Sequence, residues 1–291
     1  MKKDREGVAS TVGTIMALLV FLAFMSLITN NYVPAWMMDN ERQHMNEVID
    51  EFGQMKSKVD SMILETEIKG TGMIKMYAPL TLGSAGVPLF ATPTGSILDY
   101  IPQGGNTSGV SLDYRQAGSS APLIPGQMGG GKVAIEVPNR YYIKQTIAYE
   151  NGAVIISQDD GQTMRAYPSF TVSKLTGVIT VSFTEIDILG TNHSVAGSDS
   201  IGFNIEVKYL DQQIFNTPDG VCYLNMTTAY SAAWMEYFNI TMTNAGLVSG
   251  TDYVLTKTNT ADKSIQSVSL RLNNVGTVNY YRALVSMSML A

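Results

Sequence analysis

From Val8 to Met38 the chain carries no charged side chain, and at Asp39 it changes abruptly to a charged helical pattern. The uncharged stretch from Val8 to Thr29 would rise about 33 Å as a helix, enough for a hydrocarbon core of about 30 Å. A lone span in hydrocarbon must satisfy its own backbone hydrogen bonds, so this segment is expected to be helical. Lys2, Lys3 and Arg5 precede it, and the aromatic residues Tyr32 and Trp36 follow where a far interface should fall. Cations before the span and none close behind favour a single pass through the cell membrane, with the amino terminus cytoplasmic and the bulk of the chain extracellular. No small-x-small site with a polar mature start follows Phe24, so the span is expected not to be removed as a secretory signal.

A second helical pattern follows Pro34. Met38, Met45, Val48, Phe52, Met55, Val59 and Met62 recur at 3-4 spacing up to about Thr66. Asp39, Glu41, Glu47, Asp50, Glu51, Lys56, Lys58 and Asp60 fall largely off that seam. The seam has two expected uses, packing on the chain's own domain or pairing with a neighbouring chain as a coiled coil. Four methionines suit an adaptable contact better than a strict oligomer specifier.

After Gly70 the helical period disappears. The divisions expected are a leader over 1–7, a membrane helix over 8–37, an amphipathic stalk helix over 38–69, a Gly/Pro/Ser-rich connection with short strands over 70–131, and a β-rich domain over 132–291. Gly129-Gly130-Gly131 leads into the first clear strand, in which Val133, Ile135 and Val137 share a face before Pro138. Tyr141 to Glu150 and Ala153 to Ser157 flank Asn151-Gly152, a strong hairpin signal. Asp160-Gly161 and Thr176-Gly177 mark further turns, the latter followed by Ile179, Val181 and Phe183. Ile201, Phe203, Ile205, Val207 and Tyr209 alternate most cleanly. Later strands are expected at Tyr253–Lys257, Ser267–Leu272 and Val278–Met287, with one helix from Thr228 to Thr243. The fold class is mainly β: two successive helices, then an antiparallel, sandwich-like domain with one short helix.

Composition narrows the function. Net charge is −6, and without the first seven residues 16 cations face 23 anions, so no basic surface for nucleic acid is expected. Cys222 is the only cysteine and lies in an apolar run, which suits a buried thiol and excludes an intramolecular disulfide. His44 and His193 stand alone, and Asp159-Asp160-Gly161-Gln162 lacks the alternating carboxylates of a calcium loop. No metal site, catalytic constellation or cofactor is expected. Asn106, Asn192, Asn225 and Asn239 begin Asn-x-Ser/Thr triplets and are the candidate glycosylation sites, although composition alone gives about three by chance. Within the span, Ala9, Gly13 and Ala17 recur every four residues beside Ser10 and Thr14, a small-residue face on which another helix can close in.

Taken together, Lys2, Lys3 and Arg5 before Gly7, the opening Val8-Ala9-Ser10-Thr11-Val12-Gly13-Thr14-Ile15, and the amphipathic continuation resemble the archaeal type IV pilin-like proteins, a group that includes adhesive pilins and archaellins. The resemblance covers about 60 residues, and Glu6 departs from it, standing where a cation usually precedes the cleaved residue. It implies processing between Gly7 and Val8 by a prepilin peptidase and helix packing with copies of itself or other pilin-like subunits. It also implies a kink at Pro34 and a β-rich head at the cell surface. The expectation is a non-enzymatic subunit of a surface filament, or an adhesin. The alternative is a solitary anchored β-sandwich that binds a ligand or envelope partner without polymerising.

Overall fold

The computed structural model describes residues 2–70, 74–103, 107–126 and 128–290, with side chains from Ser10 onward. The chain begins with helix α1 (Lys2–Leu27), passes through a π-helical turn (Ile28–Tyr32), and continues as α2 (Val33–Lys69). The π-turn lies directly before Pro34, whose missing N–H and bulky ring disturb the preceding turn. Local side chains cover the carbonyls there. Thr29 Oγ1 donates to Met25 O at 2.9 Å and Asn31 Nδ2 to Leu27 O at 3.2 Å. The helix stops at Gly70, where a left-handed φ of 70° lets its N–H reach Thr66 O at 2.8 Å.

Among the described residues fourteen strands and one further helix follow. The first seven are β1 (Lys75–Thr81), β2 (Ser96–Pro102), β3 (Gly109–Gln116), β4 (Ile124–Pro125), β5 (Gly129–Val137), β6 (Gln145–Glu150) and β7 (Ala153–Gln158). Then come β8 (Gly161–Ala166), β9 (Phe170–Leu175), β10 (Val178–Leu189), β11 (His193–Gly197) and the long β12 (Ser200–Thr228). Helix α3 (Ser231–Asn244), β13 (Tyr253–Asn259) and β14 (Gln266–Leu290) complete the fold.

An antiparallel ribbon of β12 and β14 runs the length of the domain. β1 borders the first part of β12 and β3 its last part. β14 takes β13 antiparallel and β10 parallel, and β9 closes the far side of β10. The order β11-β2-β5-β6-β7-β8 forms the second half of the sheet. β5 joins the halves: Gly129 and Gly130 pair with β3, while the residues after them pair with β2 and β6. Gly130 and Gly131 make that crossing at φ 110° and 126°, and a Cβ on Gly130 would press on the Ser108 carbonyl. The hairpin read at Asn151-Gly152 and the turn read at Thr176-Gly177 both form, each with a left-handed pair.

Among the described residues two large apolar cores result, with a small cluster of Val33, Met37 and Val87 beside them. One gathers α3 with β3, β12, β13 and β14 around Trp234, Phe238 and Tyr114. The other packs the α2 seam against residues such as Leu80, Tyr100, Ile135, Tyr149, Phe203 and Val285. The seam therefore lies on the chain's own domain, the first of its two expected uses.

Several expectations shift. Met38 is 46% exposed and Met37 is buried instead, because the true register runs 33, 37, 41, 45, 48 and places Glu41 inside the seam. The strand expected from Tyr141 starts only at Gln145. Tyr209 faces solvent, since the bulge between Val207 and Tyr209 breaks the alternation. The two late strands are a single strand, β14, and α3 begins at Ser231, after Thr228 has ended β12.

Candidate functional site

The helix divides into a bare half and a docked half. From Ser10 to Phe24 every side chain is exposed, including Ile15, Leu18, Val20, Phe21 and Phe24. This is one N-terminal helix long and apolar enough to cross a membrane, and its most apolar stretch touches nothing in its own chain. Gly13 and Ala17 lie on this open rod, and a Cβ built on Gly13 meets no atom within 4 Å. Thr14 turns its hydroxyl back to Thr11 O at 2.9 Å, so the rod presents little unsatisfied polarity. Gly7, Val8 and Ala9 are helical, and their side chains lie outside the described ones. At the upper end Tyr32 and Trp36 pair, ring centroids 5.8 Å apart, and both remain about half exposed.

A polar clamp fixes the docked half just above that pair. The Glu41 carboxylate is shut off from solvent and accepts from the backbone N–H groups of Arg140 (3.0 Å), Tyr141 (2.8 Å) and Tyr142 (2.7 Å). Thr94 Oγ1 adds a fourth bond at 2.7 Å. Burial alone would push this carboxyl up, but the bonds from Arg140, Thr94, Tyr141 and Tyr142 together outweigh it and hold its pKa below the usual carboxylate range. These bonds also explain why Arg140–Tyr142 is not strand: its amides are turned onto the helix. Asn40 Nδ2 donates to Ala85 O at 3.0 Å and His44 Nε2 to Thr81 O at 2.9 Å. Glu51 takes both the N–H and the hydroxyl of Thr81, each at 2.8 Å, and Lys58 reaches Tyr77 O at 2.8 Å. Burial raises the Glu51 pKa, only partly offset by Thr81.

Three further buried carboxylates hold the sheets together. Glu150 accepts from Ser108 Oγ and Thr228 Oγ1 at 2.6 Å and from Trp234 Nε1 at 2.9 Å, tying α3 to the ends of β3, β6 and β12. Glu185 and Asp187 lie under the glycine crossing of β5, where a Cβ on Gly129 would overlap both carboxylates. Asp187 accepts from Gly130 N at 2.6 Å and pairs with Arg282 at 2.7 Å. Glu185 accepts from Tyr280 OH at 2.9 Å and faces Arg282 at 3.5 Å. Burial, reinforced by Asp187, pushes the Glu185 pKa up to about 8.

The remaining sequence candidates are scattered. Asn106 lies outside the described residues. Asn192 is exposed between β10 and β11. Asn225 sits mid-strand in β12 and accepts from Ser269 Oγ at 2.7 Å, and Asn239, exposed on α3, accepts from Tyr253 OH at 3.2 Å. Cys222 is buried, and burial pushes its thiol up to about 12. Among the described residues no three His, Cys, Asp or Glu side chains are grouped to hold a metal. The clamp's backbone partners lie about a hundred residues away from Glu41 in sequence. Its one local signal is an acidic residue in the seam register, four residues after Met37 and four before Met45.

Bare apolar helix, internal clamp and sheet domain together define a mainly β protein with one N-terminal helix suited to membrane anchoring. Comparison with protein-family models, with curated proteins and with solved structures returned no match.

Proposed function

We propose that this chain is a membrane-anchored, pilin-like cell-surface protein, the structural subunit of a surface filament or an adhesin. One observation carries the reading: a continuous helical rod is clamped to its own β domain over one half and left bare and apolar over the other. Hydrocarbon or the helices of other subunits can cover the bare half, and a pilin-like subunit uses both in turn. The bulk of the chain then lies outside the cell, with Lys2, Lys3 and Arg5 inside. Cleavage between Gly7 and Val8 by a prepilin peptidase would precede assembly. The role is structural and not catalytic, in keeping with buried carboxylates that are engaged by groups within the fold.

Gly13→Leu tests assembly. The position is open, so leucine fits the isolated chain, and it favours membrane insertion. It adds bulk to the face formed by Ala9, Gly13 and Ala17, where close helix approach requires small residues. Crosslinking in native membranes and electron microscopy of sheared surface material should show association in the wild type and its loss in the variant. Equal association in both, or a wild type that is only monomeric, sinks the filament reading and leaves a solitary anchored binding domain.

A further inference from the structure

The link between β1 and β2 does not run free over the surface; it folds back onto the helix at its upper aromatic level. Val87 packs with Val33 and Met37, and Ile28 and Ala91 lie against that cluster. A tight turn closes the link, with Val87 N donating to Ala91 O and Ala91 N to Val87 O, both at 2.9 Å. Asn40 holds its base through the Ala85 carbonyl at 3.0 Å. The tip points outward. Leu89 is fully exposed, and Phe90 is 37% exposed beside it.

Two features set this tip apart from an ordinary loop. Leu89 holds a left-handed φ of 68°, a conformation that glycine adopts freely and leucine rarely does. A strained, fully exposed leucine makes no sense as an internal contact. In addition, residues 76–98 form an uninterrupted run without a charged side chain, bounded by Lys75 and Asp99. In an acidic protein with 44 charged residues this is the longest charge-free run after the apolar helix, and its link meets that helix where it is itself uncharged, between Val8 and Met38.

We propose that the Val87–Ala91 turn is a second membrane contact, with Leu89 and Phe90 entering the interfacial layer of the lipid surface beside Tyr32 and Trp36. Val33, which the turn packs against, lies six residues beyond the end of α1. That is a rise of about 9 Å, within the headgroup and interfacial zone just outside the hydrocarbon. Tyr and Trp favour that layer, and exposed apolar side chains gain there by burying their area. A lipid surface is the occupant that fits. The tip continues the apolar surface of the helix, carries no charge for a protein partner to match, and leaves Leu89 wholly exposed. With the helix it gives the domain two attachment points, which would fix its tilt on the membrane. The inference rests on the anchored reading above.

The test places an environment-sensitive fluorophore on Leu89→Cys, Leu19→Cys or Ile214→Cys of the full chain; buried Cys222 stays unlabelled under native conditions. Each protein is reconstituted sparsely in phosphatidylcholine vesicles containing lipids with a nitroxide near the headgroup or deep in the acyl chain. Leu19 should be quenched best by the deep nitroxide, Leu89 several-fold better by the shallow one than by the deep one, and Ile214 by neither. Leu89 makes no internal packing contact that cysteine would remove, and Phe90→Cys provides a second reporter. Unquenched Leu89 and Phe90 probes alongside a quenched Leu19 overturn the contact while leaving the anchor standing. An unquenched Leu19 overturns the anchored reading itself. Leu89 probes that stay unquenched but shift to the blue as protein density rises assign the tip to a second copy, and also overturn the proposal.

Discussion

Phe52→Ala is expected to destabilise the folded domain by about 3–5 kcal/mol, the range for emptying a well-packed aromatic site. Phe52 is wholly inaccessible to solvent and sits midway along the docked helix between Val48, Met55 and the strands of the second core. Its neighbours belong to sheet strands on either side, which cannot collapse into the cavity without breaking their ladders. Chemical unfolding of the full chain in detergent, followed by tryptophan fluorescence, measures the loss, since Trp234 reports from the other core. A loss under about 1 kcal/mol would mean that the seam is not held by its own domain. The coiled-coil alternative would then return.

The second large effect falls on the clamp. Glu41→Ala leaves the amides of Arg140, Tyr141 and Tyr142 without their acceptor. Charge-assisted bonds of this kind contribute about 1.5–3 kcal/mol each before non-additivity, so a total loss of about 3–5 kcal/mol is expected. Glu41→Gln keeps the shape but not the charge and should lose less. The pH dependence identifies the cause. The Glu41 pKa is lower in the folded chain than in the unfolded one. Its contribution is therefore fully present above the unfolded value, about 4.3, and is lost as pH falls through the depressed folded value. Wild type should weaken over that acid window, and the difference between wild type and Glu41→Gln should shrink there. A difference that is constant with pH would assign the effect to packing and not to the carboxylate.

Legibility followed the range of the interactions involved. The apolar helix, the two left-handed turns and the faces of β5 and β12 near Ile201–Val207 rest on neighbours within one element, and their spacing carries them. The length of β12 does not. Its pairing with β14 shifts register between Asn216 and Gly220, around Pro218, where proline need not donate to the ladder, and the strand continues beyond. The clamp was hidden for a different reason. Glu41 reads as a surface residue until Arg140–Tyr142, about a hundred positions later, bring three amides to it. Met38 falls in the expected seam because Glu41 occupies the place an apolar residue would mark. The turn at Leu89 left a readable trace, the charge-free run over 76–98, whose meaning depends on where the link packs.

Alkaline carbonate extraction of native membranes tests the account most directly, because it strips peripheral proteins and leaves those whose helices cross hydrocarbon. The full chain should stay with the membrane pellet. A chain beginning at Asp39 should appear in the supernatant, folded, with α2 still docked through Phe52 and Glu41. Release of the full chain by carbonate would contradict the account, because the bare helix from Ser10 to Leu27 would then have no membrane to span.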